Sequence, residues 1–348
     1  LQTLGLGTVL DIFKNARLPA DAAGLVDEVF GNGVERGSLV ISGANGIVGA
    51  GKAMQLGSRL QPFGVPVVAL DLPGAPDGLG AQYPGLVQAF GNEGADAIMG
   101  SIIRMNYDGK SLPDELKKLR PRFLLEAIPE ILEVKKAHYK VFRDEFPDIA
   151  IRSVTSGFPS SELGVGIAHP AFPHQINKMW EVVEPEPSPV TQLLWATGLI
   201  PVPVSDHWSF VLDVLFCGIT LAGLRYHEAS NMPFWKIDKL VRKRVGPNPF
   251  RAHDVIGAQG ANFLTWSCLH HLSGTYGEVF KPTAELEERK ETGQTWYPPN
   301  HFRPLVDWKL NDDEAEEFRT WILGPIYQMT SLLVHESRGH FANLNTIG

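Results

Sequence analysis

Ser38-Leu-Val-Ile-Ser-Gly-Ala-Asn-Gly-Ile-Val-Gly-Ala-Gly-Lys52 decides how this chain of 348 residues is read. Ser38–Ser42 is a short apolar, β-branched run of the kind that forms a buried parallel strand. Gly43, Gly46 and Gly49 follow at a spacing of three. Glycines there let the chain turn tightly and bring the backbone N–H groups of Asn45, Gly46, Ile47 and Val48 toward a pyrophosphate, at the N-terminus of the next helix. That helix is predicted over Ile47–Leu60. A second strand, Pro66-Val-Val-Ala-Leu-Asp71, ends in an acid 22 residues after Gly49. In a dinucleotide fold such an acid holds ribose hydroxyls, and no Arg or Lys follows Asp71 to bind a 2′-phosphate. The expected cofactor is therefore NAD.

Outward from this stretch, strand-like runs alternate with helical ones as far as about residue 200. The runs are 101–105, 122–127, 148–153, 164–169, 181–184 and 198–205, and a helix is predicted over 128–145 with Lys and Glu on its outer face. Alternation of this kind predicts a largely parallel sheet covered by helices. Residues 1–36 read as an appended helical hairpin, formed by 8–13 and 19–30, on the outside of the nucleotide domain. Trp208–Glu228 reads as a helix apolar nearly all round, buried between domains or subunits. The fold class is thus α/β plus all-α: an extension over 1–36, a Rossmann NAD-binding domain over 37–205, and a mainly helical substrate and dimerisation domain over 206–348.

Apolar residues make up 44% of the chain and charged ones 20%, as in ordinary globular proteins. A net charge of −8 with no basic stripe argues against a nucleic-acid partner. No apolar run approaches the ~20 residues that span a bilayer, and the N-terminus lacks a signal-peptide pattern. A cytoplasmic protein with no membrane partner is expected. Cys217 and Cys268 read as buried free thiols.

Two constellations carry chemistry. In His169-Pro-Ala-Phe-Pro-His-Gln-Ile-Asn-Lys-Met-Trp-Glu181, the His ends one strand and the Glu begins another twelve residues on. Strand ends at the carboxyl edge of such a sheet line the ligand crevice. A His there exchanges a hydroxyl proton near neutral pH, and a carboxylate orients it. Ser153-Val-Thr-Ser156 places hydroxyls after another strand, where they can bind a substrate oxygen.

In these segments the chain resembles the 3-hydroxyacyl-CoA dehydrogenase family. The family's Glu-Ala-Ile/Val-x-Glu, Ser-Asn-Thr-Ser and His-Phe-x-x-Pro to Val-Glu-Val segments appear as Glu126-Ala-Ile-Pro-Glu130, Ser153-Val-Thr-Ser156, and His169-Pro-Ala-Phe-Pro173 through Trp180-Glu-Val182. Lys178 also sits where the family often has Lys. The resemblance covers about residues 37–228. It implies that His169 is the general acid/base, Glu181 its partner, Ser153 a substrate contact and Glu126 a group near the nicotinamide. A Rossmann domain followed by a helical domain that commonly forms a homodimer is implied as well.

The departures redirect the substrate. The first loop is Gly-x-x-Gly-x-x-Gly, one residue longer than the family's. Val154 replaces an Asn, and Asp213 stands where the family has its catalytic Asn; a carboxylate there would repel a developing enolate unless protonated. No Lys or Arg occurs from Leu60 through Ile103, where the family supplies contacts to CoA. The expected activity is NAD-dependent interconversion of a secondary β-hydroxyl and a ketone on a small-molecule substrate without CoA. Two readings stay open beside it: a Rossmann protein that uses NAD for binding only, favoured by Asp213 and Val154, and non-redox chemistry at a β-keto group with His169 as base.

Short-chain dehydrogenases are disfavoured because no Tyr has Lys four positions on, and lysine-dependent β-hydroxyacid dehydrogenases because 208–228 contains no Lys. No metal is expected: His335 and His340 lie five apart, and His270 and His271 adjoin. Trp296, Tyr297 and Phe302 read as packing residues, and His174 as either a group near the site or an exposed loop residue.

Overall fold

The computed structural model describes residues 21–172, 174–186, 188–246, 248–298 and 311–339. The expectations for 8–13, Phe302 and His340 lie outside them. The chain divides into two compact units at Asp206/His207.

The first unit opens with α1 (Ala22–Phe30), whose N-cap Asp21 accepts the Ala23 N–H. Val26 and Phe30 are fully buried in the cluster that also holds Leu39 and Ile41. The sheet strands are β1 (Ser38–Ser42), β2 (Val67–Asp71), β3 (Ile102–Asn106), β4 (Pro121–Glu126), β5 (Ala150–Ser153), β6 (Gly166–Pro170), β7 (Met179–Val183) and β8 (Ile200–Pro203). Between them run α2 (Ile47–Leu60), α3 (Gly78–Ser101), α4 (Asp114–Lys118), α5 (Leu132–Glu145), α6 (Ser160–Leu163) and α7 (Pro189–Ala196). The order is β3-β2-β1-β4-β5-β6-β7-β8, and every pairing is parallel except β6 with β7. Strand order reverses between β1 and β4, so a crevice opens at their carboxyl ends, where open α/β sheets bind ligands. Ser42 pairs with Glu126, and Glu126 with Ser153, which places three polar residues in one row along that edge.

α2 is buried from Gly49 through Gly57, which needs a small-residue helix: a Cβ on Gly57 would already stand 3.3 Å from the Ile102 side chain. α5 begins at Leu132, four residues later than the sequence predicts, because Ile131 is extended and caps the helix start. Nor does α5 keep all its lysines outside. Lys135, His138, Tyr139 and Phe142 form its buried face at helical spacing.

The second unit is helical: α8 (Val211–Ser230), α9 (Phe234–Arg244), α10 (Pro249–Ile256), α11 (Ala258–Tyr276), α12 (Ala284–Thr292), α13 (Asp312–Phe318), a π-turn (Arg319–Leu323) and α14 (Gly324–His335). α8 starts at Val211 rather than Trp208 because Ser209 takes φ +57°, in the left-handed region, and Phe210 is extended. Trp296 and Tyr297 do pack: the Trp296 indole donates to Asn262 Oδ1 and the Tyr297 hydroxyl to Asp238 Oδ2, each at 2.8 Å. Cys217 and Cys268 are buried thiols. Among the described residues no helix is long and apolar enough to cross a membrane.

Candidate functional site

β1 ends at Ser42, and the chain must reverse into α2 within four residues. Gly43 does so at φ +70°, and a Cβ there would lie 2.3 Å from the Ala127 carbonyl oxygen. A Cβ on Gly49 would lie 2.1 Å from the Gly43 oxygen, so neither position admits a side chain. The Gly46 N–H closes the turn on Gly43 O at 3.1 Å. No side chain caps the start of α2, whose N-cap is Gly46. The amides of its first turn and the positive end of its dipole therefore face the sheet edge, which suits a pyrophosphate. The residues present fit a dinucleotide, with Gly43 and the first turn, Ile47, Val48 and Gly49, as the cradle; the N–H groups of Asn45 and Gly46, expected to face the pyrophosphate, are instead donated to Asp71 Oδ2 and Gly43 O.

Asp71 ends β2 as expected, and it does a second thing that the sequence did not reveal. Its Oδ2 accepts the Asn45 N–H at 2.7 Å and its Oδ1 accepts the Leu72 N–H at 2.8 Å. The extra residue in the glycine loop brings one more amide, and Asp71 is its acceptor. Carboxylate oxygens take more than one hydrogen bond, so Asp71 retains capacity for a ribose hydroxyl.

His169 and Glu181 are brought together by the one antiparallel step in the sheet. They are opposite each other in the β6–β7 register, and Nδ1 of His169 lies 2.9 Å from Oε2 of Glu181. The Glu181 side chain is 1% exposed and that of His169 8%, so water does not compete for the bond. Glu181 thus favours the tautomer that carries hydrogen on Nδ1.

Glu126 lies at the end of β4 but is fully buried, and its carboxylate is a hub. Oε1 accepts from Lys135 Nζ at 2.7 Å and from the Ile128 N–H at 2.8 Å. Oε2 accepts from Ser153 Oγ at 2.8 Å and from the Tyr139 hydroxyl. Lys135 also reaches Glu130 at 3.2 Å, and Glu130 accepts the Thr155 hydroxyl. Burial works against the Lys135 charge, yet Glu126 and Glu130 outweigh it and hold the ammonium above its ordinary value. Tyr139 is pushed far up by burial and by Glu126, so its proton stays in place as a donor. Ser153 donates to Glu126 and accepts the Thr155 N–H, tying the two hydroxyl-bearing segments to the acid. Asp213 is in the first turn of α8, in the second unit.

Lys52 escaped the sequence reading altogether. It is fully buried on α2, donates to Gln55 Oε1 at 2.8 Å and rests 4.3 Å from the centroid of the Trp180 ring. Among the described residues it has no carboxylate partner, and burial, then Arg59, pulls its ammonium well below the usual range. Gln55 Nε2 in turn donates to the Asn177 carbonyl at 2.7 Å. One turn into the cradle helix, this pair pins the loop that joins His169 to Glu181. His174, in the same loop, is half-buried over Gly51 rather than exposed, and its pKa falls to about 3 through burial, Lys52 and His169 in that order. Among the described residues no cluster of His, Cys, Asp and Glu could hold a metal ion.

No protein-family model matches the sequence, and no curated protein does. Solved structures do match. 3-Hydroxybutyryl-CoA dehydrogenase from Escherichia coli K12 superposes with a TM-score of 0.59 at 20% identity, over 80% of this chain and 63% of that one. The chain thus spans less than two thirds of that protein's length. A conserved hypothetical protein from Sinorhizobium meliloti 1021 (TM-score 0.37, 13% identity, 76% and 89% covered) and Plasmodium falciparum pyrroline carboxylate reductase with NADP bound (TM-score 0.38, 10% identity, 85% and 97% covered) are more distant. The chain has a divergent 3-hydroxyacyl-CoA dehydrogenase-like fold, a Rossmann unit followed by a helical one.

Proposed function

We propose that the protein is an NAD-dependent oxidoreductase that interconverts a secondary β-hydroxyl and a ketone on a substrate without CoA. The observation that supports this most is the buried His169–Glu181 pair, set on the sheet that carries the glycine cradle. In the oxidative direction the substrate hydroxyl gives its proton to His169 Nε2 while the carbinol carbon loses hydride, leaving the ketone. Bound nicotinamide supplies the hydride acceptor. Glu181 fixes the tautomer with hydrogen on Nδ1 and stabilises the imidazolium that forms. In reduction the same proton returns.

The test is turnover of NADH, followed at 340 nm, with a panel of β-keto acids. His169→Ala is expected to lower the rate at least a hundredfold, about 2.7 kcal/mol of barrier, with NADH affinity nearly unchanged. Glu181→Gln is expected to lose less, and the double variant to fall little below His169→Ala, because the pair acts as a unit. Near-normal turnover by His169→Ala would remove the basis of the assignment. NADH that binds without turnover on any panel member would favour the binding-only reading.

The acid at the end of β2 also sets nucleotide choice. Arg104, the nearest base on β3, is engaged by Asp77 at 2.8 Å. A 2′-phosphate placed beside Asp71 therefore meets carboxylate. NADH is expected to bind more than tenfold tighter than NADPH, about 1.4 kcal/mol, in a titration of intrinsic Trp fluorescence. Equal affinities would refute this.

A further inference from the structure

The second unit holds a cavity of about 630 Å³ that the proposed chemistry does not use. Leu221 and Ala222 on α8, Phe280 after α11, Trp321 in the π-turn and Met329 on α14 give it apolar walls, and Arg225 supplies its one charge. Among the described residues no Asp, Glu or Lys lines it. Pockets of 300–1,000 Å³ with apolar walls and few polar groups are the usual form of small-molecule sites.

Three further observations point the same way. Arg225 donates through Nη2 to the carbonyls of Glu278 and Lys281, at 3.0 and 3.4 Å. Those bonds orient the guanidinium, yet among the described residues it enters no ion pair, so its charge is uncompensated. The wall beside it is the π-turn Arg319–Leu323, a distortion that costs backbone geometry and recurs at functional sites. Val279 (54% exposed) and Trp321 (36%), both lining residues, leave large apolar surface open to solvent.

We propose that this cavity binds an amphipathic anion, a monocarboxylate with a linear apolar tail, its head on Arg225 and its tail along α8 and α14. The carboxylate accepts the remaining guanidinium N–H donors as charge-assisted hydrogen bonds. The tail buries methylenes, each of which tightens binding about fourfold.

Decanoate, octanoate and decan-1-ol, each below its aggregation threshold, are titrated against the full chain, with Trp fluorescence and calorimetry as readouts. Decanoate is expected to bind saturably at one site and at least tenfold tighter than octanoate. Ala222→Trp, which fills the cavity, is expected to abolish binding. Arg225→Gln is expected to weaken decanoate at least tenfold while changing decan-1-ol less than twofold. Because Arg225 also ties down two carbonyls, Thr320→Glu serves as the second variant: it sets a carboxylate in the lining without touching those bonds, and should weaken decanoate but not the alcohol. Failure of decanoate to bind, or binding that Ala222→Trp leaves intact, would overturn the proposal. So would a dimer that Ala222→Trp converts to monomer, since a second copy would then occupy this face. None of these readouts requires NADH turnover, so the outcome is independent of the proposed reaction.

Discussion

Lys135→Ala is expected to destabilise the protein by about 3–5 kcal/mol, the cost of leaving a buried partner charge uncompensated. Glu126 is fully buried and Lys135 is 1% exposed, so removing the ammonium strands a carboxylate that water cannot reach. Ser153, Tyr139 and the Ile128 amide would still donate to it, but none carries charge. The double variant Lys135→Met/Glu126→Gln removes both charges and is expected to recover most of the loss. Urea unfolding of Lys135→Ala, Glu126→Gln and the double variant forms the test. A cost for Lys135→Ala below about 1 kcal/mol, the range of exposed pairs, would show that the hub does not behave as a buried ion pair.

Acid should unfold the protein well above the carboxylate range. Burial first, then Lys135, lowers His138 to about 4; burial, Lys52 and His169 lower His174 to about 3; burial lowers His253 to about 4. Each folded value lies below the ~6.5 of an unfolded histidine. Above pH 7 neither state binds the proton. From pH 6.5 down to the folded values the unfolded chain binds a proton that the folded one refuses, so stability falls as pH falls. Integrated over that window, each histidine removes roughly 3–5 kcal/mol. Lys52, depressed in the same sense, adds a rise of stability toward alkaline pH. Urea midpoints measured at intervals from pH 7.5 to 4.5 should drop steeply, and a flat profile would contradict the buried neutral imidazoles.

What could be read from the sequence was local and periodic. α2 was legible to both ends, because Gly46 must precede it and its apolar spacing is helical. The His169–Glu181 pair was legible from two strand-like runs twelve residues apart, although Glu181 is the middle residue of β7 and not its first. Tertiary contacts were not. Lys52 looks like any helical lysine until Trp180, 128 residues later, is laid over it. A signal for Lys135 did exist in its i, i+3, i+4, i+7 spacing with His138, Tyr139 and Phe142, which places it on the inward face. Charge was taken there as a mark of the outer face, and Glu126, the reason it is not, lies on a strand nine residues earlier. The onset of α8 was missed for a different cause: a serine in the left-handed region leaves no compositional trace.

The reversal between β6 and β7 separates a loop whose length can vary from a register that cannot. The ladder closes on both sides of the loop, through the Ala171 N–H to Met179 O and the His169–Glu181 register itself. Residues added at Ile176, which is exposed, lengthen the loop and leave the ladder untouched. A single residue gained or lost inside either strand carries one partner to the opposite face of the sheet. The pairing of His169 with Glu181 therefore depends on the length of the two strands and not on the length of the loop.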